Sequence, residues 1–337
     1  YKNLKDFTTV GQIGCGYWGP NLLRNFHRLP GCKVSHVAEP SKGRVSFINS
    51  TFPEISTELT FDQLLNVETI DAVVIATPAK LHFKQSKNAL LAGKHVFVEK
   101  PMATKTSEVQ ELTDLAKDRG LTLMSGHTFL YNDAVRFLKK EIDKGNLGEI
   151  RYLYSQRLNL GRIRSDIDAL WNFAPHDVSI VQFLLGDIKP LEIKSFGMDF
   201  IQKGIDDVVF LNLRYENALA NIHVSWLDPL KHRKVVAVGS KKMIVYDDIA
   251  EDKIMIYDKG IDKFSNLGEN MDFDILPSSS FRYRSGDILI PKIEYNEPLY
   301  TEAKHFLECI ESGNEPLSGA RHTKEVIRIL EQASKNC

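Results

Sequence analysis

Phe7-Thr8-Thr9-Val10-Gly11-Gln12-Ile13-Gly14-Cys15-Gly16-Tyr17-Trp18-Gly19-Pro20 is the stretch that decides the fold. A strand-like segment, Phe7 to Ile13, runs into G-x-G-x-x-G and then into a helix-like segment, Asn21 to Leu29. Between a strand and a helix the three glycines have separate uses. Gly14 permits a tight turn, Gly16 lets the backbone approach a pyrophosphate, and Gly19 lets the helix pack close to the strand. The free N–H groups and dipole of the helix start then face the phosphates. Pro20 suits the first helical turn, where an N–H would have no intrahelical partner. Tyr17 and Trp18 lie inside the turn; Trp18 either covers the cofactor or packs.

A second signal lies 20 residues beyond Gly19, where Val34-Ser35-His36-Val37-Ala38-Glu39 reads as a strand ending in an acid. Glu39 there can accept hydrogen bonds from adenosine ribose hydroxyls and would repel a 2′-phosphate, which favours NAD over NADP. The alternative is an acid facing solvent at a strand end.

Strands and helices alternate through the first third of the chain. Asp71 to Thr77 is a continuous apolar run, as expected of a strand buried on both faces. A helix-like segment, Leu81 to Leu91, a strand, His95 to Lys100, a helix, Glu108 to Arg119, and a strand, Leu121 to Ser125, follow in turn. This rhythm predicts an α/β fold, with a doubly wound parallel sheet of Rossmann type whose ligand site lies at the C-terminal strand ends. Beyond residue 126 the pattern changes. Asn132 to Lys144 is helical, and Ala169 to Leu185 is a helical stretch interrupted near Pro175. Val208 to Tyr215, Leu219 to Trp226, Lys234 to Gly239, Met243 to Tyr246 and Lys253 to Tyr257 alternate like strands of a half-covered meander. Ser278 to Pro298 reads as a long loop, and Leu299 to Ser312 and Thr323 to Ser334 as amphipathic helices. The expected division is an NAD-binding Rossmann domain over 1–126 and, over 127–337, an α+β domain for substrate binding and oligomerisation. That second domain is built on an open, mainly antiparallel sheet. An open sheet face points to a homodimer or homotetramer.

Composition narrows the function classes. The 337 residues carry 43 Lys and Arg against 44 Asp and Glu, a net charge of -1, so no global field favours nucleic acid or acidic membranes. No apolar run reaches membrane-spanning length, and Tyr1 to Asp6 lacks the apolar core of a signal peptide. Cys15, Cys32, Cys309 and Cys337 are scattered, so neither a metal site nor a disulfide framework is indicated. A cytoplasmic setting is the default. Cys15 is read as a small filler of the glycine turn.

The order G-x-G-x-x-G, Ala76-Thr77-Pro78 with His82, Glu99-Lys100-Pro101 and then His176 resembles the Gfo/Idh/MocA family of nicotinamide-dependent sugar and polyol oxidoreductases. The resemblance covers essentially the whole chain. Leu170-Trp171-Asn172-Phe173-Ala174-Pro175-His176-Asp177 and Ser225-Trp226-Leu227-Asp228-Pro229-Leu230-Lys231 are similar to the nucleotide-sugar branch, which includes UDP-N-acetylglucosamine and UDP-N-acetylglucosaminuronate 3-dehydrogenases.

Oxidising a secondary alcohol requires removal of the hydroxyl proton and passage of hydride to the nicotinamide. Lys100, at a strand end facing the cleft, can stabilise developing alkoxide charge, with Pro101 biasing it towards an extended conformation. The resemblance also places this Lys near the nicotinamide; otherwise it is a surface Lys. His176 is the candidate general base, with an ordinary pKa near neutrality, against packing inside a helix. Many family members carry Asp one turn before this His, where this chain has Asn172. An amide can orient His176 or bind substrate but cannot stabilise imidazolium by charge. Asp177 is given a structural role. The resemblance implies that Glu99 touches the nicotinamide ribose and that Thr77, Pro78 and His82 line the nicotinamide side, with a helix-start role open for His82. Arg157, Arg162 and Arg164, with Asn159 between, suit a diphosphate or carboxylate, against a solvated basic loop. His127, Tyr131 and Asn132 open the second domain near the expected cleft, and Lys231 and Arg233 face either substrate or a neighbouring subunit.

The expected activity is NAD-dependent oxidation of a nucleotide-linked sugar, at the C3 hydroxyl of a UDP-N-acetylhexosamine or its uronate. A 3-ketosugar reductase and an inositol or monosaccharide dehydrogenase are the nearest alternatives. An NAD-assisted glycosidase and a non-catalytic NAD-binding module are alternatives of another class.

Overall fold

The computed structural model describes residues 7–263 and 281–335. The chain divides into two compact units: one of residues 1–133, 178–187 and 295–335, the other of residues 134–177, 188–294 and 336–337.

The first unit is built on five parallel strands, β1 (Thr8–Ile13), β2 (Cys32–Ala38), β3 (Ala72–Ile75), β4 (His95–Glu99) and β5 (Leu123–Gly126), in the order β2-β1-β3-β4-β5. The apolar run of β3 is buried at every position, as a strand covered on both faces must be. Helices α1 (Gly19–His27), α2 (Lys42–Thr51), α3 (Phe61–Leu65), α4 (His82–Leu91) and α5 (Thr106–Asp118) alternate with the strands. The chain returns to this unit at its end, as α8 (Pro298–Ser312) and α9 (Ala320–Ser334). Phe26 of α1, Phe97 of β4 and Phe306 of α8 meet edge to face with ring centroids 5.6, 5.7 and 6.2 Å apart. All three are buried, so α8 contributes to the same core as the sheet. Glu297, just ahead of α8, takes Arg24 (2.6 Å) and Asn25 (2.9 Å) of α1 and Arg28 (2.7 Å) just after it.

The second unit contains α6 (Asp133–Asp143) and eight strands, β6 (Ile150–Leu160), β7 (Glu192–Met198), β8 (Val208–Arg214), β9 (Leu219–Ser225), β10 (Leu227–Gly239), β11 (Met243–Asp247), β12 (Ile254–Lys263) and β13 (Phe281–Leu289). Their order is β13-β12-β11-β10-β6-β9-β8-β7, antiparallel except for the β6–β9 pair. Residues alternate between a covered and an open face: Val209, Leu211 and Leu213 of β8 are buried, while Phe210 and its cross-strand partner Phe196 are exposed. Helix α7 (Ala169–Leu185) is divided between the units at Asp177 and Val178.

Two sequence expectations need correction. The helix expected to break near Pro175 runs unbroken from Ala169 to Leu185. A proline inside a helix removes one N–H bond, and here the apolar face around it, with Ala174 and Val178 fully buried, keeps the helix continuous. The loop expected over 278–298 instead contains β13, which pairs with β12 from Phe281 to Leu289. Residues 278–280 of that stretch lie outside the described residues. Its residues are nearly all exposed, so no buried face marks the strand in the sequence. Among the described residues no helix is long and apolar enough to cross a membrane.

Candidate active site

The glycine turn is formed as its sequence demands. Gly14 has φ +84°, and a Cβ there would stand 2.8 Å from the Thr77 methyl and 2.9 Å from the Ala76 carbonyl. A Cβ on Gly19 would lie 3.0 Å from the Gly14 carbonyl. At Gly16 a Cβ would meet nothing within 4 Å, so that peptide is open to a ligand. The turn is braced from below by Gln12, whose buried amide donates to the carbonyls of Gly14 (2.9 Å) and Gly19 (3.0 Å). Glu39 follows β2 directly, and its carboxylate accepts from the N–H of Cys15 (2.6 Å) and of Ser41 (2.9 Å). The open Gly16 peptide and an acid anchored to the same turn fit a dinucleotide. Burial raises the Cys15 thiol to about 11, with Glu39 adding to the effect, which leaves it protonated and inert.

The Glu99-Lys100-Pro101 turn closes β4, with a cis bond between Lys100 and Pro101. Lys100 is half-buried. Glu99 is enclosed: its Oε2 accepts the N–H of Lys100 at 3.1 Å, the Trp18 side chain lies near enough to favour its charged form, and Gly126 packs against its carboxylate, so that a Cβ there would lie 3.2 Å away. Burial raises Glu99 to about 7, opposed by the charge of Lys100. Trp18 thus brings the glycine turn beside the end of β4 while remaining 42% exposed; Tyr17 is 90% exposed.

His82 differs from its expected place along the nicotinamide. Its ring is buried, with Nδ1 2.7 Å from the Pro101 carbonyl and Nε2 2.7 Å from the Thr77 carbonyl. It joins the chain ends that follow β3 and β4, and it does so from inside. Thr77 is half-buried and Pro78 exposed. His127 and Tyr131, expected beside the substrate, are 1% and 0% exposed. The Tyr131 hydroxyl meets Ser318 Oγ at 3.1 Å, and the His127 ring lies edge to face with His322 at 5.4 Å. Neither reaches a surface that a substrate could touch. Asn132 is buried as well.

Ser179, His322 and Asp187 are arranged in the order of a hydrolase triad, with 2.8 Å from Ser179 Oγ to His322 Nε2 and 2.6 Å from His322 Nδ1 to Asp187 Oδ1. Ser179 and His322 are 1% and 2% exposed, so no acyl group can approach the hydroxyl. The line ties α7 to α9 and holds Asp187, whose φ of +56° follows Gly186.

In the second unit, Asn172 and His176 are half-buried and one turn apart on α7. Asp168 accepts the Trp171 N–H at 2.8 Å near the start of that helix, and burial raises its carboxyl above the ordinary range. Behind His176, Asp177 forms a buried pair with Arg157, Oδ2 to Nε 2.6 Å, and also takes Ser155 Oγ. Arg157 is therefore committed to Asp177 and does not face a substrate. Arg162 and Arg164 are exposed, Arg164 paired with Asp166 at 2.7 Å, and Asn159 is half-buried. Trp226 is fully buried, with its indole N–H on Asp207 at 2.5 Å.

The geometry defines a dinucleotide-binding α/β unit joined to an open-sheet α+β unit. Residues 8–127 match the model of the oxidoreductase family with NAD-binding Rossmann fold, and residues 135–245 match the GFO/IDH/MocA C-terminal domain. The chain belongs to the Gfo/Idh/MocA oxidoreductase family. UDP-N-acetylglucosamine 3-dehydrogenase of Acidithiobacillus ferrooxidans is 28% identical over 64% of this chain and 66% of its own length. A crystal structure of that enzyme matches with a TM-score of 0.80 over 98% of this chain and 97% of that one, at 21% identity. The 2,7-anhydro-N-acetylneuraminate hydratase of Mediterraneibacter gnavus is 28% identical over 62% of this chain, which spans 59% of the hydratase. The scyllo-inositol 2-dehydrogenase (NAD(+)) of Bacillus subtilis is 23% identical over 91% of this chain and 88% of its own length.

Proposed function

We propose that this protein is an NAD-dependent dehydrogenase of a nucleotide-linked sugar, acting at the C3 hydroxyl of a UDP-N-acetylhexosamine or its uronate. The observation that carries the reading is the half-buried Lys100 directly after a strand end that lies beside Trp18 of the glycine turn. Similarity to UDP-N-acetylglucosamine 3-dehydrogenase in sequence and in fold supports the substrate class. Glu39 takes the adenosine ribose hydroxyls, which favours NAD over NADP, and the open Gly16 peptide faces the pyrophosphate. Bound NAD supplies the hydride acceptor. Lys100 donates a hydrogen bond to the substrate hydroxyl and stabilises the developing alkoxide. His176 takes the hydroxyl proton, and in the reverse direction returns it. Asn172, one turn away, orients that histidine or the sugar. Arg162 and Arg164 offer forked donors to a diphosphate.

The open sheet face, where Phe196 pairs with Phe210 and Tyr152 with Leu219, is proposed to meet a second copy of the chain. A second reading, sugar chemistry in which hydride is returned and no NADH accumulates, is favoured by similarity to the hydratase. One assay separates them: the protein is mixed with NAD and a panel of UDP-sugars and free polyols, and nicotinamide reduction is followed alongside product mass. NADH formed only with a UDP-N-acetyl sugar, which loses two hydrogens, supports the dehydrogenase; an altered sugar with no NADH supports the second reading and overturns the first.

A further inference from the structure

Glu302 on α8 is the carboxylate that the proposed chemistry leaves unused. It is 0% exposed. Its Oε2 accepts from Thr128 Oγ1 at 2.8 Å, and its Oε1 has no hydrogen-bond partner among the described residues. Glu99 repeats the pattern, with Oε2 on the Lys100 N–H and Oε1 without a partner. The stretch Gly126 to Thr128 connects them: Gly126 packs against the Glu99 carboxylate and Thr128 holds that of Glu302.

A buried carboxylate with no opposite charge takes up a proton rather than remain ionised. Two buried carboxylates close enough to repel resist ionising together in a dry site, and their protons belong to the pair. Glu302 is held well above the ordinary carboxylate range, first by burial and then by the charge of Glu99. Lys100 opposes the same rise at Glu99, which stands at about 7.

We propose that Glu302 and Glu99 form a buried acid pair that keeps one proton between them, and that Glu302, held neutral, is a positioning residue that leaves Glu99 as the single negative charge behind Lys100. The titratable and charged groups around the pair are Lys100 beside Glu99, His82 behind the Lys100–Pro101 turn, Tyr131 near Glu302, and His127, with His322 beyond it. Burial, His322 and Lys100 all press His127 well below its ordinary pKa, so it stays neutral. With one proton on the pair, Lys100 faces one negative charge. When Glu302 ionises at higher pH, a second negative charge stabilises the lysine ammonium and keeps Lys100 a charged donor to higher pH.

Difference infrared spectroscopy on the full chain, native minus Glu302→Gln, needs neither substrate nor cofactor. At neutral pH it should show the carbonyl band of a protonated carboxylic acid, lost in the variant. Carboxylate bands alone, or the acid band lost only in Glu99→Gln, overturn the proposal. Should Glu302→Gln fail to fold, Glu99→Gln decides: with the like charge removed, the acid band of Glu302 must titrate at lower pH than in the native protein, and an unmoved titration overturns the pair. The consequence for Lys100 rests on the proposed dehydrogenase reading. In turnover, the alkaline limb of kcat/KM moves to lower pH in Glu302→Gln, whereas a merely structural Glu302 leaves that limb where it is.

Discussion

Two buried charged centres, one in each unit, solve the same problem in opposite ways. In the second unit Asp177 is 1% exposed and faces Arg157, so each charge finds its opposite and the pair also takes the Ser155 hydroxyl. In the first unit Glu99 and Glu302 are also buried, but Glu302 meets the like charge of Glu99, and each leaves an oxygen without a partner among the described residues. A compensated pair has one protonation state and holds a shape. An uncompensated pair has a proton to give or take, and such perturbed groups cluster where chemistry happens. The comparison assigns the Arg157–Asp177 pair to holding α7 and the Glu99–Glu302 pair to tuning Lys100.

The sharpest test lies at Lys100. Replacement by Ala should remove turnover from the detectable range while NAD still binds, because the glycine turn and Glu39 are untouched; calorimetric NAD titration beside the activity assay reads both. Retained turnover sinks the role of Lys100. Next in size is His176→Ala. Loss of a general base costs about 10²–10⁴-fold in kcat, and the proposed role requires that range with the fold intact by circular dichroism.

The first unit was more legible in the sequence than the second for a physical reason. Buried parallel strands are apolar throughout, and G-x-G-x-x-G fixes a turn at a known place, so β1, β3 and β4 fall within a residue or two of their expected bounds. Strand β13 has no buried face to mark it, and the return of α8 and α9 to the first unit is not encoded in their own pattern. Amphipathic periodicity says that a face is covered, not by what. The same limit applies to side chains. Lys100 and Glu39 stand out because a motif places them, but Gln12 beneath the turn and Glu302 on a late helix act through neighbours distant in sequence. Arg157 shows the reverse: its local pattern suits a substrate donor, because its partner, Asp177, lies 20 residues away.

If the Arg157–Asp177 pair serves the fold, breaking it should cost stability before it costs chemistry. Asp177→Ala leaves a buried guanidinium without its counter-charge, and losing one partner of such a pair is destabilising by ~3–5 kcal/mol. Denaturant unfolding should show that loss through a lower midpoint with an unchanged slope. By contrast, kcat per folded molecule should fall less than in His176→Ala. A variant that is stable yet inactive would move Asp177 from the fold to the chemistry and erase the distinction between the two centres.

The smallest expected effect concerns the far end of the first unit. The Glu39 carboxylate already accepts two backbone N–H groups, from Cys15 and Ser41, so it is held in place before any ribose arrives. Arg44, on the first turn of α2, is close enough to pull the Cys15 thiol down against the rise from burial, and it can serve a 2′-phosphate once the acid is gone. Hydrogen bonds to a charged group contribute ~1.5–3 kcal/mol. Glu39→Ser should therefore lower the preference for NAD over NADP by about 10–100-fold, measured as the ratio of the two dissociation constants. The change should come from both sides, weaker NAD through lost ribose contacts and stronger NADP through Arg44. The double variant Glu39→Ser with Arg44→Ala separates these contributions: it should keep the weakened NAD binding and lose the gain for NADP. An unchanged ratio in the single variant would take Glu39 out of the ribose site and leave it as a brace of the glycine turn.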